Sequence, residues 1–176
     1  MILLACAIFV LLKDGSIGER NYYSGSITIH PKSEDTAPEL HGLYDVVRVV
    51  DGDTIVVSID GADTKVRLIG VDTPESVNPD SSKNSESGKI AAEWTTNLLA
   101  GEKVYLEYDI EKTDKYGRTL AYVYLSDRTT MVEDELLRNG MAEVMTIQPN
   151  TKYAAHFKAL ENQARESKIG FWEGKS

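Results

Sequence analysis

Three short segments combine carboxylates and arginines at spacings that suit cation and phosphate chemistry. The first, Asp51-Gly52-Asp53-Thr54, brackets a glycine between two aspartates. Asp-Gly is a common turn signal and aspartates there are usually just solvated, so this segment says little by itself. The second is Arg67-Leu68-Ile69-Gly70-Val71-Asp72-Thr73-Pro74-Glu75. A strand running straight into Asp-Thr-Pro-Glu delivers two carboxylates at a strand end, with an arginine shortly before them. Carboxylate and backbone carbonyl oxygens are hard ligands of the kind that calcium takes. Pro74 restricts the backbone just ahead of Glu75. An ordinary loop with a surface ion pair would show the same residues. The third segment runs from Lys112 to Tyr122, and in it Arg118 follows Gly117 into a strand. From there a guanidinium can reach a phosphate with two parallel hydrogen bonds, although a charged turn between strands is the plainer reading.

Those residues need a frame to bring them together. β-branched runs at Asp45–Val50, Thr54–Ile59 and Lys65–Val71, separated by Asp51-Gly52 and Asp60-Gly61, predict a three-stranded meander. Ile90, Trp94 and Leu98 recur every fourth residue between Ser85 and Ala100, which predicts an amphipathic helix closed by Gly101. Val104–Ile110 and Leu120–Leu125 read as two further strands around a polar loop. Met131–Arg138, closed by Gly140, and Tyr153–Lys168, opened by Thr151, read as helices. The order of elements predicts an α+β fold: a small closed five-stranded β-barrel of the oligonucleotide-binding (OB-fold) type with three packed helices.

A chain of 176 residues, 41% hydrophobic and 27% charged, is long enough for one domain with a real core and excludes wholesale disorder. Cys6 is the one cysteine, so no intramolecular disulfide can staple the fold. Residues 1–12 are apolar throughout but fewer than the about 20 needed to span a bilayer. Leu3-Leu4-Ala5-Cys6 has the look of a lipoprotein cleavage box. These residues are expected to be an incomplete signal, a lipoprotein signal or a membrane tether, with 13–40 a polar linker and 41–176 the functional domain. The corresponding location is secreted or attached to the cell envelope. The net charge of −9 argues against a broad nucleic-acid-binding face, because phosphate contact selects for Lys and Arg. Any phosphate chemistry must therefore draw on a few local arginines and a bound cation.

Taken in order and with their spacing, the three segments resemble the thermonuclease family, the staphylococcal nuclease type, from about Tyr44 to Trp172. The likeness includes Leu136-Leu137-Arg138-Asn139-Gly140-Met141-Ala142 and Pro149-Asn150. It implies a five-stranded OB-fold barrel with three helices and a monomeric, calcium-dependent nuclease that cuts DNA and RNA, preferably single-stranded, leaving 3′-phosphates. It further implies that Asp53, Asp72 and the Thr73 carbonyl hold one calcium ion. Arg67 and Arg118 would grip the phosphate, Glu75 would orient or deprotonate the attacking water, and Tyr116 would stand on the substrate side. Two features depart from the family pattern. Glu143–Gln148 contains no aromatic residue where a tyrosine is usual, and the loop 78–85 has Lys83 as its one lysine. Base stacking is accordingly expected to be weak. The competing reading is a catalytically weak nucleic-acid- or protein-binding OB-fold module on the envelope. His30, His41 and His156 match no motif position and are expected to be surface or packing residues.

Overall fold

The computed structural model describes residues 37–76 and 84–173. The apolar run at 1–12, most of the linker and Lys83 lie outside the described residues. A compact unit begins at Ala37, and among the described residues no helix is long and apolar enough to cross a membrane.

In chain order the elements are β1 (His41–Asp51), β2 (Thr54–Ile59), β3 (Ala62–Leu68), β4 (Gly70–Asp72), α1 (Glu86–Leu99), β5 (Lys103–Glu107), β6 (Thr119–Leu125), α2 (Val132–Arg138), β7 (Glu143–Met145) and α3 (Ala154–Glu166), followed by a 3₁₀ turn at Gly170–Trp172. Five strands close into a barrel in the order β1-β2-β3-β6-β5. Closure removes the unpaired edges that an open sheet would expose. All contacts around the barrel are antiparallel except β3 with β6, which runs parallel with Arg67 opposite Leu120. That parallel seam lays the arginine strand against the strand that starts just after Arg118. The core is filled by Ile55, Val57, Val66, Leu68, Val104, Leu106, Val123, Leu136, Leu137 and Phe157, all buried. The α+β barrel with three helices matches the architecture read from the sequence.

β5 stops at Glu107, short of the expected Ile110, and β7 has no counterpart in the sequence reading; two further differences serve the site. The run Lys65–Val71 is not one strand. The Ile69 amide still bonds to the Ala121 carbonyl at 3.1 Å, but the chain then bends at Gly70, whose φ is +85°. A Cβ there would also fall 2.7 Å from the Phe157 ring, so both the backbone and the space demand glycine. The bend sends β4 out of the barrel to pair with β7. In α1 the fully buried residues are Gly88, Ala91, Thr95 and Leu99, one position round from the expected stripe, of which Trp94 and Leu98 pack partly buried against the core and Ile90 is exposed. Gly88 and Thr95 are small where the helix lies close against backbone, as the site geometry shows.

Candidate active site

Asp53 stands in the turn between β1 and β2, buried despite its charge. A buried carboxylate needs hydrogen bonds or a counter-ion to offset its lost hydration. Asp53 has both: Oδ1 accepts the Thr54 hydroxyl at 3.0 Å, and Oδ2 accepts the Thr73 amide at 2.9 Å and its hydroxyl at 3.1 Å. The third partner is Arg67 on β3, with Nη1 3.1 Å from Asp53 Oδ2. Two-residue alternation along β3 puts Arg67 and Lys65 on the same face, pointing out of the core. The Arg67 side chain is only 8% exposed. Besides Asp53 it donates from Nη1 to the Val71 carbonyl at 2.8 Å and from Nη2 to Asp72 Oδ1 at 2.8 Å. Arg67 is thus a structural tie across the bend as well as a source of charge.

Asp72 ends β4 with its side chain 53% exposed. Partial burial pushes its pKa up, the Arg67 charge opposes this, and the charges of Asp53, Glu75 and Glu143 push it further up. Glu75 is exposed, and its side chain makes no hydrogen bond or ion pair among the described residues. Arg118 lies just before β6. Its Nε donates to Asp114 Oδ2 at 2.7 Å, while Asp114 Oδ1 accepts the amides of Tyr116 and Arg118. Burial raises the Asp114 pKa, but those hydrogen bonds and the guanidinium charge outweigh it and hold the carboxyl below its usual value. Arg118 bonds Asp114 through Nε and lines the open cleft, where its terminal nitrogens suit the paired oxygens of a phosphate.

Asp53, Arg67, Asp72, Glu75 and Arg118 line one cleft of about 340 Å³, so the fold gathers segments far apart in sequence. Thr73 is buried at its back, with its amide and hydroxyl on Asp53. Tyr116 does not line this cleft. It stands 73% exposed with the Arg118 guanidinium 5.6 Å from its ring centre, on a neighbouring cavity of about 390 Å³. Arg67, Arg118 and Met145 border both spaces. The second cavity is walled by Ile69, Leu120, Met145 and Ile147, so aliphatic side chains occupy the region that lacks aromatics.

Sequence reasoning missed Asp51 and Lys65, which also line the cleft. The signal for Lys65 was its i, i+2 relation to Arg67 on a predicted strand. His41 packs on the Tyr108 ring, and His156 Nε2 lies 2.8 Å from Asp134 on the surface, so neither enters the cleft. His30 lies outside the described residues.

Among the described residues no three His, Cys, Asp or Glu side chains cluster as a metal centre. A cation in the cleft would instead draw on two carboxylates and backbone oxygen. The donor set fits a hard cation, since it is all oxygen.

Residues 65–174 match the family model described as staphylococcal nuclease homologue. The chain is 39% identical over 173 residues to a thermonuclease of Staphylococcus intermedius, covering 98% of this chain and 95% of that protein. It is 43% identical over 129 residues to a thermonuclease of Staphylococcus hyicus, covering 73% and 75%. An SPbeta prophage-derived endonuclease, YokF, of Bacillus subtilis is 40% identical over 134 residues, covering 74% of this chain and 44% of that protein.

Proposed function

We propose, from the premise that this chain belongs to the staphylococcal nuclease family and is a nuclease, that it hydrolyses phosphodiester bonds of DNA and RNA with calcium as cofactor and leaves 3′-phosphate ends. The observation that supports this reading best is the gathering of Asp53, Arg67, Asp72, Glu75 and Arg118 around one cleft.

Attack by water on a phosphodiester builds negative charge on the non-bridging oxygens, and fixed cationic donors stabilise it most when they need no rearrangement. Arg118 reaches toward that charge from a turn held by Asp114. Arg67 is already locked, so its contribution is a fixed positive field beside the phosphate more than a free fork. Glu75 orients the attacking water and accepts its proton as the oxygen–phosphorus bond forms, while the bond to the 5′-oxygen breaks, that oxygen takes a proton from solvent, and Glu75 returns its own to solvent. Asp53, Asp72 and the Thr73 carbonyl would hold the calcium ion, which when bound supplies further positive charge to the phosphate. Nothing in this scheme uses a 2′-hydroxyl, so both DNA and RNA are substrates. Single strands are favoured because the cleft and the neighbouring Tyr116 cavity must be reached together by one nucleotide and its phosphate. The apolar residues 1–12 support export or tethering at the envelope, with the domain acting as a monomer.

The test is incubation of end-labelled single-stranded DNA with the protein in calcium or in chelator, followed by end-group analysis. Cleavage in calcium with 3′-phosphate ends is expected. Full activity in chelator would remove the calcium assignment, and 5′-phosphate ends would reverse the leaving group.

A further inference from the structure

Glu75 has no side-chain partner of its own among the described residues, yet the backbone that presents it is held from several directions. Its carbonyl accepts the Ser85 amide at 2.9 Å and, more weakly, the Ser85 hydroxyl at 3.5 Å. At the next residue the Ser76 hydroxyl donates to Asp51 Oδ1 at 2.7 Å, and the Ser76 amide to Asp51 Oδ2 at 3.4 Å. Asp51 is itself buried and accepts the Gly52 amide at 2.9 Å. Helix α1 closes the arrangement. A Cβ on Gly88 would fall 2.1 Å from the Glu75 carbonyl oxygen and 2.7 Å from that of Pro74, a distance no side chain tolerates. Further along the same helix face, the buried Thr95 hydroxyl donates to the Gly52 carbonyl at 2.8 Å. One face of α1 therefore braces both the turn that carries Asp53 and the segment that carries Glu75.

We propose that Asp51 and Ser76 are positioning residues for Glu75, a role that rests on the reading of Glu75 as the carboxylate facing the attacking water. An exposed carboxylate on a loop is free to wander, and displacement of a reacting group by about 1 Å costs on the order of 100-fold in rate. Pro74 restricts the chain before Glu75, Ser85 holds its carbonyl, and the Asp51–Ser76 bond holds the residue after it. What remains free is the glutamate side chain itself. Asp51 thus acts on the reaction through Ser76 and the backbone, not by touching substrate.

A double-mutant cycle on kcat, with KM and thermal unfolding measured on every variant, tests this. Ser76→Ala is expected to lower kcat by roughly tenfold with KM little changed, and Ser76→Thr, which keeps the hydroxyl, to recover it. In a Glu75→Gln background, adding Ser76→Ala should cost nothing further, because the group being positioned is already lost. Asp51→Asn retains an acceptor for the serine hydroxyl and should fall less than Ser76→Ala. The proposal is overturned if Ser76→Ala lowers kcat by the same factor in both backgrounds, or lowers the melting temperature while leaving kcat intact. A fall for Asp51→Asn larger than that for Ser76→Ala overturns it as well, since Asp51 would then act by its charge in the cleft. Parental kcat in Glu75→Gln alone would instead remove the reading of Glu75 on which the proposal rests.

Discussion

In the cleft, Asp72 and Glu75 keep much of their surface in solvent. Where the helices meet the barrel, Glu107, Glu133 and Glu161 are almost wholly buried. Each buried acid meets a donor from another element. Glu107 accepts the hydroxyls of Tyr124 and Tyr153 and pairs with Lys152. Glu133 on α2 takes the Val123 amide of β6 on both oxygens at 3.2 Å. Glu161 on α3 takes the Val144 amide of β7 and pairs with Lys158 and Arg165. In each case the acid joins a helix or loop to a strand that would otherwise leave a donor unmet. The cleft carboxylates differ in what they border: Asp53 and Asp72 share Arg67, and with Glu75 and Arg118 they line an open volume. The comparison teaches that burial alone does not separate the two kinds of acid, since Asp53 is buried and well partnered yet lines the cleft.

The sharpest division is expected between the two arginines. Both Arg118→Ala and Arg67→Ala should lower kcat by about 100-fold or more, as lost donors to a charged transition state do. Arg67→Ala should also lose on the order of 3–5 kcal/mol of stability, because it strands buried Asp53 without its counter-ion. Arg118→Ala should unfold close to the parent, since its pair with Asp114 is partly exposed. Steady-state kinetics with denaturant unfolding reads both. Equal stability of the two variants would mean that the Arg67 tie carries no load.

Calcium should distinguish the regions next. A ligand that binds only the folded state stabilises it by about 2.7 kcal/mol at 100 times its Kd, so calcium should raise the melting temperature and chelator should reverse this. Asp53→Asn and Asp72→Asn should abolish the response, while Glu161→Gln should keep it. A calcium-induced shift that survives Asp53→Asn would place the ion elsewhere.

Between the buried acids themselves the expectation is of opposite sign. Burial pushes Glu133 well above the usual carboxylate pKa, with the Val123 amide opposing only in part. A raised folded-state value means that its contribution is present below the unfolded value of about 4.5 and is lost as pH rises through the folded one. Burial also acts to raise Glu161, but Lys158, Arg165 and the Val144 amide outweigh it and lower its pKa. Its contribution is present above about 4.5 and is lost as pH falls through the lowered value. At neutral pH, Glu161→Gln should therefore cost roughly 1–3 kcal/mol, in the range of hydrogen bonds to charged groups. Glu133→Gln should stabilise, with the gain fading toward acid pH. Melting curves of both variants across a pH series decide the matter, and loss of stability at neutral pH in both would refute the contrast.

The smallest effects belong to the substrate-side rim. Met145 and Ile147 line the cavity beside Tyr116, so Ile147→Tyr should lower KM for single-stranded DNA by up to about tenfold through base stacking, with kcat nearly unchanged. Lys65→Ala should raise KM a few-fold and flatten the salt dependence by about 0.7 in log–log slope, the value of one phosphate contact on a single strand. An unaltered salt slope would show that Lys65 touches no phosphate.

Local chemistry was enough to determine the barrel and most of its boundaries. Ser85 was legible as the start of α1 and caps it through the Gly88 amide, and the Asp51-Gly52 and Asp60-Gly61 turns separate the first three strands as their residue types require. The motif carboxylates and arginines could be named because their spacing along a strand and its exit is a sequence property. What they do to one another was decided by tertiary structure. Only the parallel seam between β3 and β6 brings Arg67 beside the strand that follows Arg118, and only the bend at Gly70 lets Arg67 reach Asp72 and the Val71 carbonyl. The same holds for the face of α1. A hydrophobic period of four pointed to Ile90, Trp94 and Leu98, and the last two do pack on the core, but the face at Gly88 and Thr95 meets the backbone of Glu75 and Gly52, and at Gly88 a side chain has no room. Periodicity records which residues avoid water, whereas a close approach between backbones selects for the absence of a side chain. Asp51 and Ser76, which are 25 residues apart, could not be paired from the sequence for the same reason: a hydrogen bond across the fold leaves no periodic trace in either segment.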